Sequence, residues 1–175
     1  MAGHSDNVLD LPKFDKPTKV LIVIAPYYKD ISEAQLASVR AKVEATGATH
    51  ETIEVPGSLE IPTAIGMANR LGDYDGFVAL GCVIRGRTSH YDVVVDQSAN
   101  GIMLLGLQGL CIGNGIITVE NREQAEERAD AKRLDTAGAA AEAALHLINL
   151  SRSMKSEGKG IGFTGTLLAK GGETV

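Results

Sequence analysis

The chain has 175 residues, 44% of them hydrophobic and 22% charged, with a net charge of −5. This is the composition of one ordinary globular domain; the acidic balance speaks against a nucleic-acid partner, and no apolar run approaches the length of a membrane span. Aromatics are 4% and tryptophan is absent, so the core must be aliphatic.

Residues 1–17 carry Pro12 and Pro17 and show no sustained periodicity, which reads as an arm. The first ten residues lack a basic start and an apolar centre, so no secretory signal is expected. Residues 19–25 (K-V-L-I-V-I-A) form a continuous apolar run, as in a strand buried on both faces. Pro26 stops it. Asp30 or Ser32 is then expected to cap a helix to about Thr46, with Leu36, Val39 and Val43 on one face and Gly47 closing it. Residues 49–55 alternate and are β-branched, a second strand broken by Pro56 and Gly57. Residues 61–71 read as a helix with Gly72 after it, and residues 76–84 as a third strand. A helix over 90–105 follows, then a fourth strand over 110–119 interrupted by Gly113, Asn114 and Gly115. Asn121 caps a short helix with Gln124 at the capping-box position. Residues 137–154 form an alanine-rich helix whose stripe of Ala141, Ala144, Leu145 and Ile148 suits packing on a sheet or a neighbour. The Gly- and Lys-rich residues 155–175 read as a flexible tail. Cys82 and Cys111 fall in predicted strands and read as buried thiols in a reducing, cytoplasmic compartment. His4, His50 and His146 have no chemical context and read as surface or packing residues.

Strands alternating with helices imply an α/β sandwich with a four-stranded parallel sheet. So narrow a sheet leaves edges to cover, which favours association with other copies.

The segment Gly81-Cys-Val-Ile-Arg-Gly-Arg-Thr-Ser-His-Tyr-Asp92 carries the most chemistry. A buried strand ends in Arg85, Gly86, Arg87, Thr88, Ser89 and His90 at the start of a helix. Unpaired backbone N–H groups and the helix dipole there favour an anion, and histidine is suited to move a proton near neutral pH. The same residues, with Ser89 three positions and Thr88 four positions before the carboxylate of Asp92, also fit a plain helix cap. In open α/β sheets ligands bind beyond the carboxyl ends of the strands. The strand ends deliver residues 26–28, residues 56–60, residues 85–90 and the segment after Val119, which should converge.

Val55-Pro-Gly-Ser-Leu-Glu-Ile-Pro62, the Gly81 to Asp92 segment, and Gly115-Ile-Ile-Thr-Val-Glu-Asn121 followed by Gln124 and Ala125 together resemble the lumazine synthase family over roughly residues 18–152. The resemblance implies a flavodoxin-like three-layer fold and no metal or organic cofactor. It implies condensation of 5-amino-6-(D-ribitylamino)uracil with 3,4-dihydroxy-2-butanone 4-phosphate to 6,7-dimethyl-8-ribityllumazine, phosphate and water. It further implies Tyr27 as the aromatic that stacks on the pyrimidine, and Ser58, Leu59 and Glu60 as the loop holding the ribityl chain. Cys82, Val83 and Ile84 match the strand end that reads the uracil edge. Arg87 and Thr88 match the phosphate-binding pair, His90 the proton-transfer residue, and Arg128 a second phosphate arginine. Asn114 stands where many relatives carry an aromatic reaching into the next subunit's site. Family sites lie between subunits, so a homo-oligomer, a pentamer or pentamer-based assembly, is implied.

Three residues depart from the family pattern. Arg87 replaces a small or acidic residue, Asn114 an aromatic, and Thr136 falls near an expected lysine. They keep open a relative that binds a lumazine or flavin without making it, or a shell protein; His90, Glu60 and Arg128 weigh against both. An FMN-binding electron carrier would need a Ser/Thr-rich loop directly after the first strand, where this chain has Pro26-Tyr-Tyr-Lys-Asp30. No G-x-G-x-x-G follows a strand, which argues against dinucleotide binding.

Overall fold

The computed structural model describes residues 9–157; the first eight residues, His4 among them, and the tail beyond 157 lie outside the described residues. The elements are β1 (Lys19–Ile24), α1 (Lys29–Ala45), β2 (Thr49–Glu54), a 3-10 turn (Ser58–Glu60), α2 (Ile61–Leu71), β3 (Gly76–Ile84), α3 (His90–Leu107), β4 (Ile112–Val119), α4 (Arg122–Ala129) and α5 (Thr136–Glu157). The four strands form one sheet in the order β2-β1-β3-β4, every pair parallel. The α/β fold expected from the alternation is therefore present. The chain moves from β1 to β2 on one side and then crosses to β3 on the other. The strand order thus reverses between β1 and β3, where a crevice opens at the carboxyl ends.

Alternate residues of β1 serve opposite layers, as the pleat requires. Val20, Ile22 and Ile24 join Val78 and Leu80 of β3 beneath α1 and α5, packed on Val39, Val43, Ala144, Leu145 and Ile148. Leu21 and Val23 join Phe77 and Ala79 beneath α2 and α3, packed on Ile61, Ile65 and Ile102. The stripe on α5 therefore packs on the sheet.

The expected break in the fourth strand is absent: β4 runs continuously through Gly113, Asn114 and Gly115. These glycines answer close approach rather than a turn. A Cβ on Gly113 would stand 1.8 Å from the Ala140 carbonyl oxygen, so bare backbone is what lets α5 settle on the sheet. The cap expected for α1 is also corrected. Tyr28 holds the N-cap position without a side-chain cap bond, because Asp30 is taken by the Arg122 guanidinium and Ser32 Oγ donates to the Tyr28 carbonyl at 2.9 Å. Gly47 closes α1 as expected, with φ +82°. Asn121 caps α4 by accepting from Gln124 N at 3.0 Å, and Gln124 reaches back to Glu120 N.

The part of the arm that is described is tied down. Phe14 N donates to the Thr46 carbonyl at 3.0 Å, and Arg152 of α5 donates to the Pro17 carbonyl, Thr18 Oγ1 and Asp75. Helix α5 continues through Glu157, three residues past its expected end. Among the described residues no helix is long and apolar enough to cross a membrane. The outer face of α3 carries Val93, Met103, Leu104 and Leu107, each at least half exposed.

Candidate active site

At the β1/β3 crevice lies a cavity of about 460 Å³. Its walls come from three strand ends: Ala25, Tyr27 and Tyr28 after β1, residues 56–60 after β2, and Cys82, Val83, Ile84, Gly86, Thr88 and His90 at the end of β3. The convergence expected from the topology is met for these three loops; the segment after Val119 does not line the cavity.

Each wall has a local cause. Pro26 ends β1, and Tyr27 N turns back onto the Ala25 carbonyl at 2.9 Å. This throws the Tyr27 ring outward, 75% exposed, with the Tyr28 ring 5.0 Å away in an edge-to-face arrangement. Pro56 and Gly57 end β2, and the chain tightens into the 3-10 turn that buries Ser58 and projects Glu60. The Glu60 carboxylate folds back over Gly57, with Oε2 2.9 Å from where a Cβ would stand. Carboxylates arranged this way accept hydroxyl donors well.

Cys82 sits at the floor. Burial pushes its thiol from the usual 9.0 up to about 11, so it is neutral and unreactive near pH 7. Deeper in the sheet, the buried Gln35 amide donates to the carbonyls of Gly81 at 3.2 Å and Gly115 at 2.9 Å, tying α1 to β3 and β4 beneath the cavity.

The loop at the end of β3 separates its two guanidiniums. Arg85 lies 3.0 Å from Asp92 Oδ1 and 2.9 Å from Glu120 Oε2, with its guanidinium carbon 3.9 Å over the Tyr91 ring. It is occupied. Arg87 is exposed and makes no ion pair with another described residue. Ser89 holds the N-cap position of α3 without a side-chain cap bond; Thr88 Oγ1 accepts from His90 N at 3.4 Å. The plain-cap reading of this segment thus has no short capping bond behind it.

Of the residues singled out in the sequence, Tyr27, Ser58, Leu59, Glu60, Cys82, Val83, Ile84, Thr88 and His90 line one cavity, and Arg87 belongs to the same loop. Asn114 and Arg128 do not line it. Asn114 is exposed on β4, level with Ala79 and so below Cys82 on the strand ladder. Its Oδ1 accepts from Ile116 N at 3.1 Å. Arg128 is half-buried on α4 and donates to the Gln124 carbonyl at 3.2 Å. The sequence reading missed Tyr91 and Val94, which also face the cavity. Val94 stands four residues after His90 on a helix, the spacing that puts both on one face.

A second recess of about 630 Å³ runs between α1, α4 and the connection that follows α4. Its floor is alanine, and its charged rim is already engaged: Asp30 by Arg122, Lys42 by Glu142, Asp135 by Ser38. It offers no set of free converging polar groups.

Fold and cavity define an α/β protein with a candidate small-molecule site at the topological switch point of a parallel sheet. The family model for 6,7-dimethyl-8-ribityllumazine synthase matches residues 17–152, and the chain belongs to that family. It is 69% identical over 163 residues to the 6,7-dimethyl-8-ribityllumazine synthase of Jannaschia sp. (strain CCS1), covering 93% of this chain and 92% of that protein. It is 53% identical over 131 residues to the enzyme of the same name from Sphingopyxis alaskensis, covering 75% of this chain and 93% of that one. With 6,7-dimethyl-8-ribityllumazine synthase 1 of Rhizobium meliloti it shares 47% identity over 148 residues, 81% and 97% of the two chains.

Proposed function

We propose that this chain condenses 5-amino-6-(D-ribitylamino)uracil with 3,4-dihydroxy-2-butanone 4-phosphate to 6,7-dimethyl-8-ribityllumazine, phosphate and water, a step of riboflavin biosynthesis. The observation that carries the reading is the meeting of Tyr27, Glu60, Thr88 and His90 around one cavity in a chain of this family.

In this reading the uracil stacks on the exposed Tyr27 ring, and its polar edge meets the backbone of Cys82, Val83 and Ile84. The ribityl hydroxyls donate to Glu60 beside Ser58 and Leu59. Arg87 and Thr88 hold the phosphate at the start of α3, where backbone N–H groups and the helix dipole favour an anion. The amine attacks the ketone and releases water to leave an imine. Phosphate departs, the four-carbon chain reorients, and the second amine closes the ring with loss of water. The protein contributes orientation and electrostatic support of the leaving phosphate, while His90 carries protons between successive intermediates.

Arg128 and Asn114 lie off their own chain's cavity, which supports delivery to the cavity of an adjacent copy. The apolar outer face of α3 (Val93, Met103, Leu104 and Leu107) is a surface of the kind that association covers. Together these favour a homo-oligomer, a pentamer or pentamer-based assembly. The unpaired thiols of Cys82 and Cys111 fit a reducing cytoplasm.

Genetic complementation tests the reading. A bacterium lacking its own lumazine synthase should grow without added riboflavin when supplied with this chain. Failure to grow with the protein present at normal level overturns it.

A further inference from the structure

We propose that Arg85 and Asp92 form a clamp that holds the shape of the phosphate-facing loop, making Arg85 a positioning residue rather than an anion ligand. The proposal rests on the reaction given above.

Arg85 joins three elements. Its backbone N donates to the Val119 carbonyl at 2.9 Å at the end of the β3/β4 ladder. Its guanidinium then reaches Glu120 just beyond β4 and Asp92 in the first turn of α3, and covers the ring of Tyr91, which faces the cavity beside His90. Both carboxylates hold the guanidinium charged. Its Nε and Nη1 are committed to the two carboxylates, and one face of its plane lies over the Tyr91 ring.

The loop it spans has few other restraints. Residues 86–89 are exposed, and a Cβ on Gly86 would meet nothing within 4 Å. The bonds at the loop's far end are the long His90 N to Thr88 Oγ1 contact, at 3.4 Å, and the Asp92 and Val93 amides donating to the Ser89 carbonyl. The Arg85 side chain is 39% exposed, so an isolated pair would count for little. A bridged set of two carboxylates and a ring is the arrangement in which an exposed ion pair does contribute.

The sign of one substitution separates the two roles. Asp92→Asn removes a negative charge beside an anion site. By through-space electrostatics alone it would tighten the phosphate substrate, and it would also free Arg85 to bind that substrate. A clamp predicts the reverse.

Steady-state kinetics on the full chain should be taken for wild type, Arg85→Gln, Arg85→Lys, Asp92→Asn and the Arg85→Gln/Asp92→Asn double variant, alongside thermal midpoints. Arg85→Gln and Asp92→Asn should each raise KM for the butanone phosphate about fivefold, a coupling of ordinary size. KM for the ribitylaminouracil should stay near wild type. The double variant should be no worse than the worse single, and Arg85→Lys, which can reach one carboxylate but not both, should fall between. Asp92→Asn is isosteric and keeps the test decisive should Arg85→Gln fail to fold. A lower KM for the butanone phosphate in Asp92→Asn, or losses that multiply in the double variant, overturns the clamp while leaving the reaction standing. A wild-type chain with no acceleration overturns the reaction and the clamp together.

Discussion

Ser58 Oγ lies 2.8 Å from the point that a Cβ on Gly81 would occupy. The loop leaving β2 therefore rests on bare β3 backbone, and the cavity walls formed by residues 56–60 and by the end of β3 share one contact. A methyl at position 81 must displace the Ser58 hydroxyl, which disturbs the 56–60 loop. Gly81→Ala should cost about 1–3 kcal/mol of stability, as overpacking does, and should raise KM for the ribitylaminouracil. The clash is with the hydroxyl alone; the next atoms stand at 3.7 and 3.8 Å. Adding Ser58→Ala should restore most of the lost thermal midpoint, whereas losses that simply add would show that the contact does not set the loop's position.

Gly113 is a harsher case. A Cβ there would meet the Ala140 backbone, which cannot swing away. Gly113→Ala should destabilise by about 3 kcal/mol or more, at the upper end of overpacking costs, because α5 must lift off β4. A thermal midpoint within a degree or two of wild type would contradict this packing.

The Cys82 thiol gives a pH dependence whose sign follows from its environment. Burial raises its folded-state value from 9.0 to about 11, so the folded state holds the proton more tightly than the unfolded chain does. Its contribution to stability is complete below about pH 9 and is lost as pH climbs toward about 11. Denaturant midpoints should fall over that window, with a smaller fall in Cys82→Ala. An alkylating reagent at pH 8 should leave Cys82 unmodified until the protein is unfolded; rapid labelling of the native protein would contradict its burial.

Much of the fold was legible because the strands differ so sharply in pattern. The unbroken apolar runs of β1 and β3 mark strands buried on both faces, and α2 and β3 fall at their expected residues. The errors share a cause. In sequence Gly113, Asn114 and Gly115 look like an interruption of the fourth strand, whereas the two glycines answer the close approach of α5 and of Leu80, partners distant in sequence. Asp30 was read as a cap, when Arg122, 92 residues away, occupies it. Arg85 and Arg87 look equivalent in sequence. Only the folded chain brings Glu120 to one of them. The site itself was legible as far as the strand-end rule reaches, which covers the three loops of one chain. It did not find Tyr91 and Val94, whose role depends on which face of α3 turns inward.

The separation of His90 from Arg128 yields a mixing experiment. If each cavity combines His90 of one copy with Arg128 of the next, His90→Ala and Arg128→Ala chains are each impaired alone. Chains refolded together at equal ratio should regain about a quarter of wild-type activity, the share of interfaces at which both intact residues meet by chance in a closed ring. Activity equal to the mean of the two separate variants would place the whole site within one chain.

The central claim is tested most directly by initial rates of lumazine formation, read by absorbance from purified protein, ribitylaminouracil and butanone phosphate against the uncatalysed blank. Wild type should accelerate product formation clearly. His90→Ala should slow it about a hundredfold, the low end of a general acid–base contribution, and still exceed the blank, because orientation and phosphate binding survive. A wild-type rate equal to the blank, or a His90→Ala rate equal to wild type, would contradict the account.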